Sequence, residues 1–161
     1  MAKWKNSPDI DRYLQKLERL EMDPRTYIGK AIYVAADIVA DAISSQISSL
    51  PVAQIYAENG VKLSTITSVQ KAGLVDGFGI AKMRKDGDYY NVKLGFEGYN
   101  GQKTKKYPHG VPNSVIARSI VSGTSFRQKN DFVGKAVRSS KAQAEREMEQ
   151  ELDKQIKELM S

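Results

Sequence analysis

Between Pro24 and Pro51 the chain repeats apolar residues at steps of three and four: Ile28, Ile32, Ala35, Val39, Ile43, Ile47 and Leu50. That spacing predicts one helix over 24–50, opened by Asp23-Pro24 and stopped by Pro51. At 1.5 Å per residue it spans about 40 Å, longer than the usual domain helix. Val34 and Ile38 fall beside the stripe, so the apolar face is wide and calls for more than one neighbour. A chain built on such a rod must supply other elements to cover it.

The largest of these is a second long helix over 132–160, with Val133, Val137, Ala144, Met148, Leu152, Ile156 and Leu159 as its stripe. Asp153 and Lys157 form an acid-first pair on it. Ser7-Pro8-Asp9 opens a shorter helix over 8–22, with Ile10, Leu14 and Leu17 inward. A helix over about 65–75 turns Ile66, Val69 and Ala72 inward, although Gly73 weakens it. One over about 114–122 ends at Gly123, a left-handed cap. Asn59-Gly60 is a turn signal. The clearest strand signal is a hairpin, 80–85 and 89–97, around Asp86-Gly87. Tyr90, Val92, Leu94 and Phe96 share one face of its second arm; Tyr89, Asn91, Lys93 and Glu97 share the other. The fold class is α+β, one domain over 1–161: a small antiparallel sheet (hairpin 80–85/89–97) packed with long helices 24–50 and 132–160. Helix 8–22 and the basic loop 98–112 are its candidate mobile elements. That loop is long for a connection without structure of its own.

The chain has 161 residues, no cysteine and one histidine, His109. Disulfides, thiolate zinc sites, iron–sulfur clusters, cysteine nucleophiles and multi-histidine cages are thereby excluded. Carboxylate chemistry, a lysine nucleophile or no chemistry remain. Gln102 separates Gly101 from Lys103, which breaks a phosphate loop. Gly123-Thr124-Ser125 lacks the second glycine of a nucleophile elbow, because position 127 is arginine. His109 beside Ser125 would have no identifiable orienting acid. Asp37 and Asp41, four apart, are too few ligands for most metal sites, and the acids from Glu145 to Asp153 point all round their helix. The expectation is a non-enzyme with no catalytic residue, cofactor or metal. Residues 1–6 lead into no apolar stretch, and no run approaches the ~20 apolar residues of a span, so neither signal peptide nor membrane contact is expected. The protein is read as soluble and made in the cytoplasm.

The net charge of +6 is concentrated in 61–110, which carries 9 basic and 4 acidic residues. Lys103, Lys105, Lys106 and Arg118, interleaved with Tyr99 and Tyr107, form the candidate surface for DNA or an acidic partner: cations neutralise phosphates and rings stack on bases. No helix-turn-helix, zinc finger or RNP string accompanies them, so such binding would be non-specific.

Several strings carry a resemblance: Gly79-Ile80-Ala81-Lys82-Met83; the run from Asn91 through Leu94-Gly95-Phe96-Glu97-Gly98-Tyr99-Asn100-Gly101; Pro112-Asn113-Ser114-Val115-Ile116-Ala117-Arg118; and Ser122-Gly123-Thr124-Ser125-Phe126, with Phe132-Val133 and Ala136 beyond. Together they resemble the siphophage tail-completion family, the head–tail joining or neck proteins typified by the lambdoid "gene product ten" group. The N-terminal half is also similar to members from phages and prophages of Gram-positive bacteria. Val121 stands where the family leads one to expect glutamate, and Asp131 where proline often precedes the phenylalanine. The resemblance implies a virion structural protein, located at the neck, that joins head and tail without catalysis. Its implied partners are further copies in a ring, the connector or stopper, the tail terminator, and packaged DNA in the channel. On that reading Gly123, Thr124, Ser125, Phe126 and Phe132 shape a subunit contact. The other reading is an accessory protein that binds DNA non-specifically through 98–118.

Overall fold

The computed structural model describes residues 8–54 and 60–161. Asn59 of the expected turn, the Ser7 cap and the Ile10 side chain lie outside the described residues. Along the chain come α1 (Pro8–Met22), α2 (Pro24–Ser48), α3 (Ser68–Gly77), β1 (Phe78–Ile80), β2 (Arg84–Asp86), β3 (Tyr89–Asn91), β4 (Leu94–Phe96), α4 (Asn113–Ser122) and α5 (Phe132–Met160). The class is α+β, as the sequence predicts. No described helix is long and apolar enough to cross a membrane.

α2 begins where expected. Asp23 caps it, accepting the Thr26 N–H at 3.3 Å, and Pro24 follows at the first helical position. The helix closes two residues early, at Ser48, with Leu50 buried just beyond. Its wide face is used as predicted: α5 forms its main contact, and α3, β1 and β3 share the rest.

Of the stripe expected on α5, Ala144 is buried, Val133, Met148, Leu152, Ile156 and Leu159 are half-buried, and Val137 alone is exposed. In its first half the buried residues are Phe132, Ala136, Ser140 and Ala144, at steps of four, while Val137 is exposed. Ala136, Ser140 and Ala144 are small, so this stretch of α5 is buried without the larger side chain of Val137. Ser140 is no liability there, since its hydroxyl donates to the Ala136 carbonyl at 2.7 Å. Further along, buried Gln155 accepts from Lys30 Nζ at 3.1 Å and donates to Glu151 at 2.7 Å. Among the described residues Asp153 and Lys157 form no ion pair; the pair within α5 is Lys141–Glu145 at 3.9 Å. α1 packs on α5 with its predicted face turned outward: Leu14 and Leu17 are exposed, while Lys16 and Leu20 are half-buried. Lys16 donates to the Met160 carbonyl at the end of α5, where the helix dipole favours a cation.

The expected hairpin is split in two. β1 pairs with β4 (Phe78↔Phe96, Gly79↔Gly95, Ile80↔Leu94), and β2 pairs with β3 (Arg84↔Asn91, Lys85↔Tyr90, Asp86↔Tyr89). Three residues, Ala81 to Met83, separate the pairings on one arm and two, Val92 and Lys93, on the other. The extra residue is a bulge, which bends the ribbon and re-aims a side chain. Met83 is that side chain: it is buried, and its Cε would stand 3.2 Å from any Cβ at Gly29 of α2. The Met83 N–H, lost to the ladder, donates to the Tyr33 hydroxyl of α2 at 2.8 Å. The turn centres on Gly87-Asp88, with Gly87 at φ +60°, rather than on Asp86-Gly87.

α3 starts three residues later than expected, at a capping box: Thr67 accepts the Gln70 N–H and Gln70 accepts the Thr67 N–H. The shift turns Gln70, Gly73 and Leu74 inward and leaves Val69 and Ala72 exposed. Ile66 is buried as expected, but from extended chain bridged to Val52. The core joins α2, α3, α4 and α5 through Ile43, Ile47, Leu74, Ile116, Ile120 and Phe132.

Candidate functional site

Two of the strings that carry the resemblance, 91–101 and 112–118, meet where β4, α3 and α4 converge. Asn113 opens α4 and is buried; its main-chain N–H donates to the Gly98 carbonyl at 2.9 Å and its Nδ2 to the Glu97 carbonyl at 2.8 Å. The floor beneath it is glycine. A Cβ at Gly77 would stand 2.5 Å from Asn113 Nδ2, and one at Gly73 would stand 2.7 Å from Asn100 Cβ. Gly73, a weakness in the sequence pattern, is therefore required by packing.

The 98–112 loop is built on its own hydrogen bonds. Asn100 N–H donates to Val111, Val111 N–H to Gln102, and Thr104 and Tyr107 exchange N–H···O bonds at 3.0 and 3.1 Å. Lys105 and Lys106 form the tip of that exchange. Lys103, Lys105, Lys106 and Arg118 are all exposed, and no described carboxylate comes within 4 Å of them. The two tyrosines are not equivalent. Tyr99 is 66% exposed, whereas Tyr107 is half-buried against the core with Lys106 Nζ 5.4 Å from its ring centre. Only Tyr99 presents a largely open ring.

After α4, Gly123 has φ +74° but ψ 166°. It is thus not the expected left-handed cap; it occupies the extended region open to glycine almost alone. A Cβ there would meet the Lys129 backbone at 3.0 Å. Thr124 N–H donates to the Arg127 carbonyl at 3.0 Å, and the Phe126 carbonyl accepts from Leu63 N–H at 2.9 Å. The turn so pinned holds Phe126 outward, 50% exposed, beside exposed Ser125. Phe132 is the exception among the five expected contact residues. It is 1% exposed in the core, packed edge-on to Phe96, so its side chain offers nothing to a second subunit.

In the sequence Arg127 stands out only as the residue that spoils a nucleophile elbow. It is buried beneath the turn, donating from Nη1 to the Thr65 carbonyl at 2.9 Å and from Nη2 to Gln70 Oε1 at 3.3 Å. Burial pulls its pKa down from the ordinary guanidinium value. Gln70 Nε2 continues to Gln102 Oε1 at 3.1 Å, so one polar chain runs from the Phe126 turn to the basic loop. Nothing in the local sequence marks Arg127 as inward, because its partners come from 57 and 62 positions away.

Asp131, at the departure from the family pattern, caps α5. It accepts the Gly134 N–H at 3.0 Å, and that bond, aided by Arg138 at 3.3 Å, holds its carboxyl below the usual range. Asp37 and Asp41 are exposed, and no group of three metal-ligating side chains stands together among the described residues. No family model, curated protein or solved structure matches the chain.

Proposed function

We propose that this chain is a structural component of a tailed-phage particle, a neck protein that joins head to tail as one subunit of a ring and catalyses nothing. The observation that carries the reading is the exposed Phe126 on a turn whose backbone is fixed from beneath. A large apolar ring held outward on a rigid support is the usual anchor of a protein–protein contact. Other residues of the strings that resemble the family are given over to rigidity: Asn113 on its glycine floor, Gly123 in its restricted conformation, Phe132 in the core. Thr124, Ser125 and Phe126 then form the subunit contact, while Lys103, Lys105, Lys106 and Arg118 face DNA in the channel or an acidic neighbour.

The test is electron microscopy of lysates from a phage or induced prophage lacking the gene. Filled heads and finished tails lying apart are expected, with joining restored by the native gene and reduced by Phe126→Ala. Joined, infectious particles in the deletion would remove the reading.

A further inference from the structure

We propose that the bulged hairpin and the start of α2 form a binding cleft for the phosphodiester backbone of single-stranded nucleic acid. The cleft is separate from the 98–118 surface. Two hollows of about 790 and 340 Å³ lie side by side, with Arg25 and Met83 lining both, and together they are the groove. Five cations line it: Arg25 and Lys30 from α2, Lys82 from the bulge, Arg84 and Lys85 from β2. All five are exposed, and no described carboxylate stands within 4 Å of any of them.

Three acids also line the groove. Asp86 accepts from Asn91, Glu151 accepts from Gln155, and Asp37 lies on α2. Five cations against three acids leave an excess of two positive charges; two of the acids accept from side-chain amides, and Lys30 donates to Gln155. The groove also offers rings. Tyr90 lies under Lys85 Nζ at 5.6 Å, and Tyr33 is 37% exposed. The Tyr33 hydroxyl accepts the Met83 N–H, so its own proton is left to donate to a phosphate oxygen. Clustered cations suit phosphates and carboxylates alike, but flat rings suit unpaired bases and would find no counterpart in an acidic peptide. That combination selects a nucleic-acid strand over an acidic protein segment.

The bulge makes the cleft. It turns Met83 inward as the groove's apolar floor and sets Lys82 on the side facing Arg25, an arrangement that an unbroken hairpin would scatter over both faces.

The inference does not depend on head–tail joining, because it is read on the purified chain. The probe is a fluorescein-labelled 15-nucleotide oligo-dT, followed by anisotropy at 50 and 200 mM NaCl. Replacing Arg25, Lys82, Arg84 and Lys85 together by Ala is expected to weaken binding at least about tenfold at the lower salt. The plot of log affinity against log salt should flatten by about two, as for the loss of several single-strand phosphate contacts. Arg25→Lys, Arg84→Lys and Lys85→Arg should keep binding within about threefold, separating charge from any loss of fold, which circular dichroism checks. Replacing Lys141 and Arg146, exposed cations of α5 that belong to neither surface, should change affinity less than about twofold. Absence of binding by the native chain, an equal loss from that α5 variant, or competition by poly-glutamate as strong as by oligo-dT would each overturn the proposal.

Discussion

The two halves of the hairpin have the same strand length and opposite kinds of support. In the inner half, β1 and β4 turn Phe78, Ile80, Leu94 and Phe96 toward the protein, and the rings run on from Phe78 to Phe96 at 5.2 Å and from Phe96 to Phe132 at 6.3 Å. In the outer half every residue of β2 is exposed, and the ribbon is tied down by Met83 on Gly29 and by the Met83 N–H on Tyr33. A sheet of two three-residue strands has little stability of its own. The inner half borrows it from the core and the outer half from α2, through Met83 and the packing of β3.

The hardest blow to this contrast is Phe132→Ala. Removing a fully buried ring is expected to cost about 3–5 kcal/mol, a large share of a typical folding free energy. Thermal unfolding should shift accordingly, and both halves should lose amide protection together; survival of the inner half would break the claim that it belongs to the core. Met83→Ala should cost about 2–3 kcal/mol, near the low end for such truncations. Hydrogen exchange should rise first in β2 and β3, and an equal rise in β1 would contradict the division. Tyr33→Phe removes one hydrogen bond and no volume, so about 1 kcal/mol is expected, seen as faster exchange of the Met83 amide.

Gly79→Ala probes the inner half from outside. Gly79 and Gly95 face each other with open space where a Cβ would stand and no positive φ to require glycine. A gain of about 0.5 kcal/mol in denaturant unfolding is expected, and a loss would mean that the face is less open than described. The smallest effect concerns Asp131, the cap before Phe132. Its folded pKa is depressed, chiefly by the Gly134 amide. Its stabilisation is therefore fully present above the unfolded value, about 3.9, and is lost as pH falls through the lower folded value. Asp131→Asn should flatten the acid limb of melting temperature against pH; parallel limbs for both proteins would refute this.

Much of this architecture was legible because helices are written locally. Asp23-Pro24 and the spacing to Ile47 define α2 without help from the rest of the chain. The departures share one cause. Val137 lost its inward place to Ala136 and Ser140, and Val69 and Ala72 lost theirs to Gln70, Gly73 and Leu74, because the face of a helix that is covered is decided by elements distant in the chain. The bulge was hidden for the same reason, since a register change exists only between two strands. Of the candidate contact residues, Phe126 is exposed and Phe132 is not, and both are simply phenylalanines in the sequence. The cations of the bulged cleft were individually visible, but Arg25 joins Lys82 and Arg84 only through the fold.

The pairing of α2 with α5 has a consequence for how the chain is made. Lys30 and Gln155, which bond across that contact, lie 125 positions apart. At about 5–20 residues per second, translation separates their appearance by roughly 6–25 s. Until α5 is made, the broad apolar side of α2 lacks its chief cover. The hairpin gives little shelter in the meantime, because its inner half itself rests on Phe132 of α5. The nascent protein is therefore most open to wrong associations before that 29-residue helix is complete.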